Sequence, residues 1–239
     1  MGNSQRSCQT EDSVPEVLWT ETVPLRVRSP LRRETLLQGC LTTNFSSAHS
    51  QGIIAGVDEV GRGALFGPVV AAAVVLPRSA LPELMLAGIN DSKKLSPSRR
   101  NQLAQQICTL ACDWRIGFAS TAEIDQINIL QASLLAMKRA VLKLSVQPTL
   151  CLIDGNQLVP GLPMPQQTII KGDSLSIAIA AASILAKVWR DDLILRLAVN
   201  YPMYDLVRNK GYGSQRHLAA LREHGVSRLH RKSFSPCQN

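Results

Sequence analysis

The chain has 239 residues, 45% of them hydrophobic and only 4% aromatic, enough for one well-packed domain and tight for two. Disorder throughout is excluded, and an interior of Ala, Val, Leu and Ile suits α/β layers in which helices lie close on a sheet. The net charge is +8; residues 1–50 hold five basic and five acidic side chains, so the excess lies in residues 51–239, with 21 basic against 13 acidic, which favours a polyanionic partner.

Residues 1–50 are rich in Ser, Thr, Gln, Pro and Arg and lack sustained periodicity until the apolar run GIIAGVD begins at Gly52. A domain boundary is placed near 50, with 51–239 as the folded domain. The extension reads as a disordered tail, ahead of a weakly structured arm or an over-long reading frame. A strand is expected at 52–58, then a turn with Gly61 and Gly63, then a strand at 68–76 whose Val/Ala run suggests burial on both faces. A helix follows Ser96-Pro97, then a strand at 113–119 and a helix at 128–144. TLCLID (149–154) reads as a strand ending in a carboxylate. A short strand at 166–170 precedes a long apolar helix at 174–199, with Ser174 as its cap. A basic C-terminal segment with a helix near 214–224 completes an α/β layer with a mixed sheet flanked by helices.

No CxxC pair or Cys/His cluster has zinc-ligand spacing, and Cys108, Cys112 and Cys151 read as buried, reduced thiols. The N-terminal residues lack an apolar core and the apolar runs reach only about ten residues, so neither a signal peptide nor a membrane span is read. A cytoplasmic monomer is expected.

Chemistry enters with the acids. Asp58 and Glu59 end the apolar strand IIAGVD, where like charges raise each other's pKa unless a cation or donor compensates. A solvated strand end with a capping acid is the bland account of this pair. LCLID, however, also ends in an acid, Asp154, and Asp173 in IIKGD follows another short apolar run. If these ends are neighbours in one sheet, four carboxylates converge as all-oxygen ligands suited to Mg²⁺ or Mn²⁺. Two such ions about 4 Å apart serve phosphodiester hydrolysis.

GVDEVGRGALFGPVVAAAVVL (56–76), NDSKKLSPSRR (90–100), IDGN (153–156), KGDSLSIAIAAASILAKVWRD (171–191) and NKGYGSQRHLAALREHGVSRLHRKSF (209–234) resemble the ribonuclease HII family in order and spacing. The resemblance implies a ribonuclease H-like α/β fold with a C-terminal helical segment. It implies an endonuclease that hydrolyses the RNA strand of RNA–DNA hybrids and cuts 5′ of single ribonucleotides in duplex DNA, as in ribonucleotide excision repair, leaving 3′-hydroxyl and 5′-phosphate ends. The four metal-coordinating carboxylates of the family match Asp58, Glu59, Asp154 and Asp173, with two divalent ions, Mg²⁺ or Mn²⁺, at work during catalysis. A loop matched by Gly61, Arg62 and Gly63 would read the ribose 2′-hydroxyl with its backbone, and Tyr212 would help recognise the RNA–DNA junction. Glycines admit close backbone approach, and the 2′-hydroxyl is what separates RNA from DNA.

Lys93 and Lys94 are candidates for phosphate contact. Asp191 and Asp192 are expected to pair with Arg190 or Arg196, and His217, His224 and His230 to serve the surface. Trp189 stands where the family usually has a smaller β-branched residue. Ribonuclease HIII is the nearest enzyme alternative, but it carries a folded N-terminal domain that fifty aperiodic residues do not supply. A non-catalytic hybrid-binding protein is disfavoured because four clustered acids beside phosphate are costly without metal.

Overall fold

The computed structural model describes residues 52–89 and 95–238; the expectations for residues 1–50 and for Lys93 and Lys94 fall outside them. Five strands among the described residues form one sheet: β1 (Ile54–Val60), β2 (Val69–Val75), β3 (Asp113–Ala119), β4 (Leu150–Asp154) and β5 (Gln166–Ile169), in the order β3-β2-β1-β4-β5. β2 pairs antiparallel with β1 and β3, whereas β1–β4 and β4–β5 are parallel, so the sheet is mixed as expected.

Side chains alternate faces along a strand, and β2 uses both. Val70, Ala72 and Val74 enter one apolar layer while Val69, Ala71, Ala73 and Val75 enter the other. Helix α3 (Thr121–Leu142) covers the second layer through Ile124, Ala132, Ala136, Met137 and Val141. Helices α2 (Pro97–Leu110), α5 (Ile177–Ala198) and α7 (Gln215–His224) cover the first. The short helices are α1 (Leu81–Leu86), α4 (Gly172–Leu175) and α6 (Leu206–Asn209). Each fully buried Val or Leu in these layers contributes about 1.5–3 kcal/mol by leaving water. Gly56 sets how closely α5 approaches β1: a Cβ there would stand less than 3.0 Å from the backbone of Ala178 and Ile179.

Helix starts follow local chemistry. Ser96 accepts from the Arg99 N–H at 3.3 Å, with Pro97 in the first turn. α3 begins seven residues before the expected 128, because Ser120 and Glu123 form a reciprocal capping box. Asn128, at φ 66° and ψ 166°, interrupts α3, and its side chain accepts from Leu130 and Gln131 N–H; the helix expected at 128 is the part that Asn128 re-caps. The long C-terminal helix begins at Ile177 and not at Ser174. Lys171 is left-handed (φ 57°), the one-turn α4 intervenes, and Ser176 stands at the N-cap.

Three further expectations are corrected or sharpened. Asp191 pairs with Lys187 at 2.8 Å and Asp192 with Arg196 at 3.4 Å, while Arg190 is buried. His217 and His230 are buried, and only His224 is exposed. Cys108 and Cys151 are buried free thiols, whereas Cys112, expected to be reduced like them, is disulfide-bonded. Among the described residues no helix is long and apolar enough to cross a membrane.

Candidate active site

β1 and β4 run parallel with Val57 opposite Ile153, so Asp58 and Asp154 leave the same end of the sheet on adjacent strands. Asp58 is 5% exposed. Its Oδ1 accepts the Glu59 N–H at 2.7 Å, and its carboxyl also hydrogen-bonds Ser183 of α5. Burial, followed by repulsion from Glu59 and Asp154, holds the Asp58 carboxyl well above the usual carboxylate range. Burial also raises Glu59, against the opposing pull of the Arg62 guanidinium 3.2 Å away. Asp154 Oδ1 accepts from Gly172 N–H at 2.7 Å, tying the end of β4 to the start of α4. Asp173, the next residue, is buried.

Asp58, Glu59 and Asp154 are therefore in mutual electrostatic reach, and Asp173 lies one residue from the amide that Asp154 binds. Among the described residues, no three His, Cys, Asp or Glu side chains are already gathered as a metal cage. The donor set nonetheless fits a hard divalent cation: every ligand atom is an oxygen, and two of the carboxyls carry repulsion that a cation would relieve. These four acids could hold Mg²⁺ or Mn²⁺.

The turn after β1 lies beside them. Gly61 has φ 90°, and a Cβ there would clash with the Arg190 guanidinium. Arg62 and Gly63 are exposed. The following strip threads between two C-terminal segments. Ala64 bridges Tyr212, and Leu65 and Phe66 N–H both donate to Gly211 C=O at 2.8 and 3.2 Å. On its other side Phe66 bridges His230, and Gly67 N–H donates to Leu229 C=O at 2.8 Å. Tyr212, expected to help recognise the RNA–DNA junction, is thus a backbone neighbour of the strip that follows the turn. Its ring lies 5.4 Å from the Arg190 guanidinium and 5.7 Å from Lys187 Nζ.

Four supporting side chains escaped the sequence reading. Arg190 Nε, Nη1 and Nη2 donate to the carbonyls of Pro68, Lys210 and Phe66 at 3.2, 2.9 and 3.0 Å. Arg231 Nε and Nη1 donate to those of Gly67 and Arg62 at 3.1 and 2.7 Å. His217 Nδ1 lies 2.9 Å from Tyr212 C=O, and its Nε2 lies 3.0 Å from His230 Nε2. A signal was present for two of them. Arg190 shares a helix face with buried Ala186, Leu193, Ile194 and Leu197, and His217 shares one with Ala220 and Leu221. Arg231 and His230, in irregular backbone, offered no such periodicity.

The family model for Ribonuclease HII matches residues 55–237. A Ribonuclease HII of Nostoc sp. (strain PCC 7120 / SAG 25.82 / UTEX 2576) is 70% identical over 200 residues, 84% of this chain and 89% of that protein. One from Acaryochloris marina (strain MBIC 11017) is 64% identical over 185 residues, 77% and 93% of the two chains. Among solved structures, the ribonuclease H2 of Pyrococcus horikoshii OT3 aligns with a TM-score of 0.68 at 26% identity, covering 77% of this chain and 95% of that one. A Bst-RNase HIII in complex with Mn²⁺ shares the fold, with a TM-score of 0.63 at 19% identity over 78% of this chain and 68% of that one. On its own sequence and on a ribonuclease H-like α/β frame, this chain belongs to the ribonuclease HII family of endoribonucleases.

Proposed function

We propose that this protein hydrolyses the RNA strand of RNA–DNA hybrids and cuts on the 5′ side of single ribonucleotides embedded in duplex DNA, leaving 3′-hydroxyl and 5′-phosphate ends. The observation that carries the reading is the meeting of Asp58, Glu59 and Asp154 at one end of the sheet, directly before the turn at residues 61–63. Asp58, Glu59, Asp154 and Asp173 would hold two divalent ions, Mg²⁺ or Mn²⁺. Such ions, when bound, activate a water and stabilise the leaving oxygen of a phosphodiester.

The rest of the work falls to the chain. Glu59 engages Arg62, linking the acid end of β1 to the recognition turn. Gly61, Arg62 and Gly63 present backbone to the ribose, where a 2′-hydroxyl can both donate and accept. Tyr212, half-buried beside Ala64, offers a ring face to the sugar or base at the junction. Setting aside the buried Arg190 and Arg231, eight basic against four acidic residues in 187–239, with Lys93 and Lys94, supply a surface that tracks phosphates. Excision repair of misplaced ribonucleotides in the cytoplasm fits this activity.

The deciding experiment is cleavage of a duplex carrying one ribonucleotide, with Mg²⁺ and Mn²⁺ titrated separately. Cutting 5′ of the ribonucleotide is expected under at least one ion. Binding without cleavage under both would favour a hybrid-binding protein instead. Asp154→Asn keeps volume and an oxygen for Gly172 N–H but removes charge, so turnover should fall by orders of magnitude with the fold retained. Wild-type turnover in that variant would remove Asp154 from the site.

A further inference from the structure

Two buried guanidinium groups lie under the recognition turn. Arg190 and Arg231 are both 0% exposed, and the acceptors named above for them are backbone carbonyls of residues 62–68 and 210. Burying a cation costs several kcal/mol, and apolar residues of similar volume often fill such space with equal or better stability. The guanidinium adds direction, since its donors have a fixed planar fork.

That direction matters most at one peptide. Arg231 Nη1 holds the Arg62 carbonyl inward at 2.7 Å. In a trans peptide the C=O and the following N–H lie in one plane and point opposite ways, so the Gly63 N–H faces outward. Gly63 is exposed, and no described atom lies within 4 Å of where a Cβ would stand. A charge-assisted bond to the carbonyl also polarises the peptide, strengthening its N–H as a donor. The arginine itself is held firmly. Its own N–H donates to Leu65 C=O at 2.9 Å, and Asp125 accepts from the next two backbone N–H groups, Lys232 and Ser233.

We infer that Arg231 is a positioning residue for ribose recognition, aiming the Arg62–Gly63 peptide at the 2′-oxygen while Arg190 holds the Pro68, Phe66 and Lys210 carbonyls of the same frame. The inference rests on the proposed reading of residues 61–63 as the ribose contact. It concerns selectivity and not the chemical step.

The test uses the full chain and one assay. For wild type and Arg231→Lys, kcat and KM are measured on a duplex with a single ribonucleotide, and the all-DNA duplex of the same sequence is titrated in as a competitive inhibitor. Losing one aimed hydrogen bond should raise KM about tenfold, with kcat within about threefold and the inhibition constant of the DNA duplex within about twofold. A general loss of packing would move both duplexes together, so an unchanged ratio of KM to inhibition constant in Arg231→Lys overturns the inference alone. A wild-type enzyme without preference for the ribonucleotide duplex overturns the reading beneath it as well. Amide hydrogen exchange on the wild type is independent of any variant's folding. Protection of the 64–67 amides comparable to β2 is expected, and exchange there at unstructured rates would overturn the preformed turn.

Discussion

The two glycines of the turn at residues 61–63 have different reasons to be glycine. Gly61 combines a left-handed φ of 90° with the Arg190 guanidinium packed where a Cβ would go. Gly61→Ala should therefore cost about 1–3 kcal/mol of stability from backbone strain and displacement of a buried side chain. Gly63 stands in open space, so Gly63→Ala should leave the melting temperature nearly unchanged while impairing cleavage at a ribonucleotide. Thermal denaturation with steady-state kinetics separates the two, and equal destabilisation would contradict this division. In the sequence both residues were legible only as members of one motif. The difference depends on Arg190, which is 129 residues from Gly61 in the chain.

Among the elements, α3 best illustrates what local sequence can and cannot announce. Ser120 and Glu123 have capping-box spacing and, with Arg139 bonding Glu123 Oε1 at 2.7 Å, fix the start of the helix. Ser120→Ala should lower stability by about 1 kcal/mol, measured by chemical denaturation, with cleavage kinetics unaffected because the cap lies on the helix and not at the acids. The expected start at 128 reflects a real discontinuity, since Asn128 begins a second capped segment. β2, β3, β4 and α7 were readable within a residue or two, because their apolar runs are bounded by Pro, Gly or Ser. The end of β4 at Asp154 was also readable, whereas β1 runs on to Val60, two residues past the expected end at Asp58, and the adjacency of the two acids came from the parallel pairing of β1 with β4.

At the scale of the molecule, the buried His217–His230 pair joins α7 to the C-terminal segment. Tyr212 C=O requires a donor at His217 Nδ1, which leaves His217 Nε2 to accept from His230 Nε2–H, and His230 Nδ1 accepts from Ser227 N–H. Both rings are therefore neutral. Burial lowers the pKa of His217 despite the pull of the Tyr212 carbonyl and Asp205, and burial with repulsion from His217 lowers His230 to about 4. The folded pKa lies below the unfolded one, so the unfolded chain takes up protons first as pH falls. Stability from the pair is complete above about pH 6.5 and is lost progressively toward about pH 4. The melting temperature should fall more steeply across that window in wild type than in a His217→Asn/His230→Gln double variant; equal slopes would exclude the pair as the cause. We further propose that residues 51–239 form the working domain. Deleting residues 1–48 should leave melting temperature and cleavage nearly unchanged, and a large loss of either would assign the extension to the fold or to substrate binding.

The sequence by itself determined the layers and the chemistry on offer. Strand and helix periods, caps and the apolar-then-acid runs are encoded by residues close in the chain, and the ordered motifs carried the family. Only the tertiary structure decided which strand ends meet, that Tyr212 pairs with the turn after β1, and that two arginines and two histidines brace that turn from within. The physical reason lies in the partners. The buried guanidinium groups are satisfied here largely by backbone carbonyls and the imidazoles partly by a backbone carbonyl and N–H, groups that nearly every residue possesses, so no pattern of residue types foretells which of them will be held.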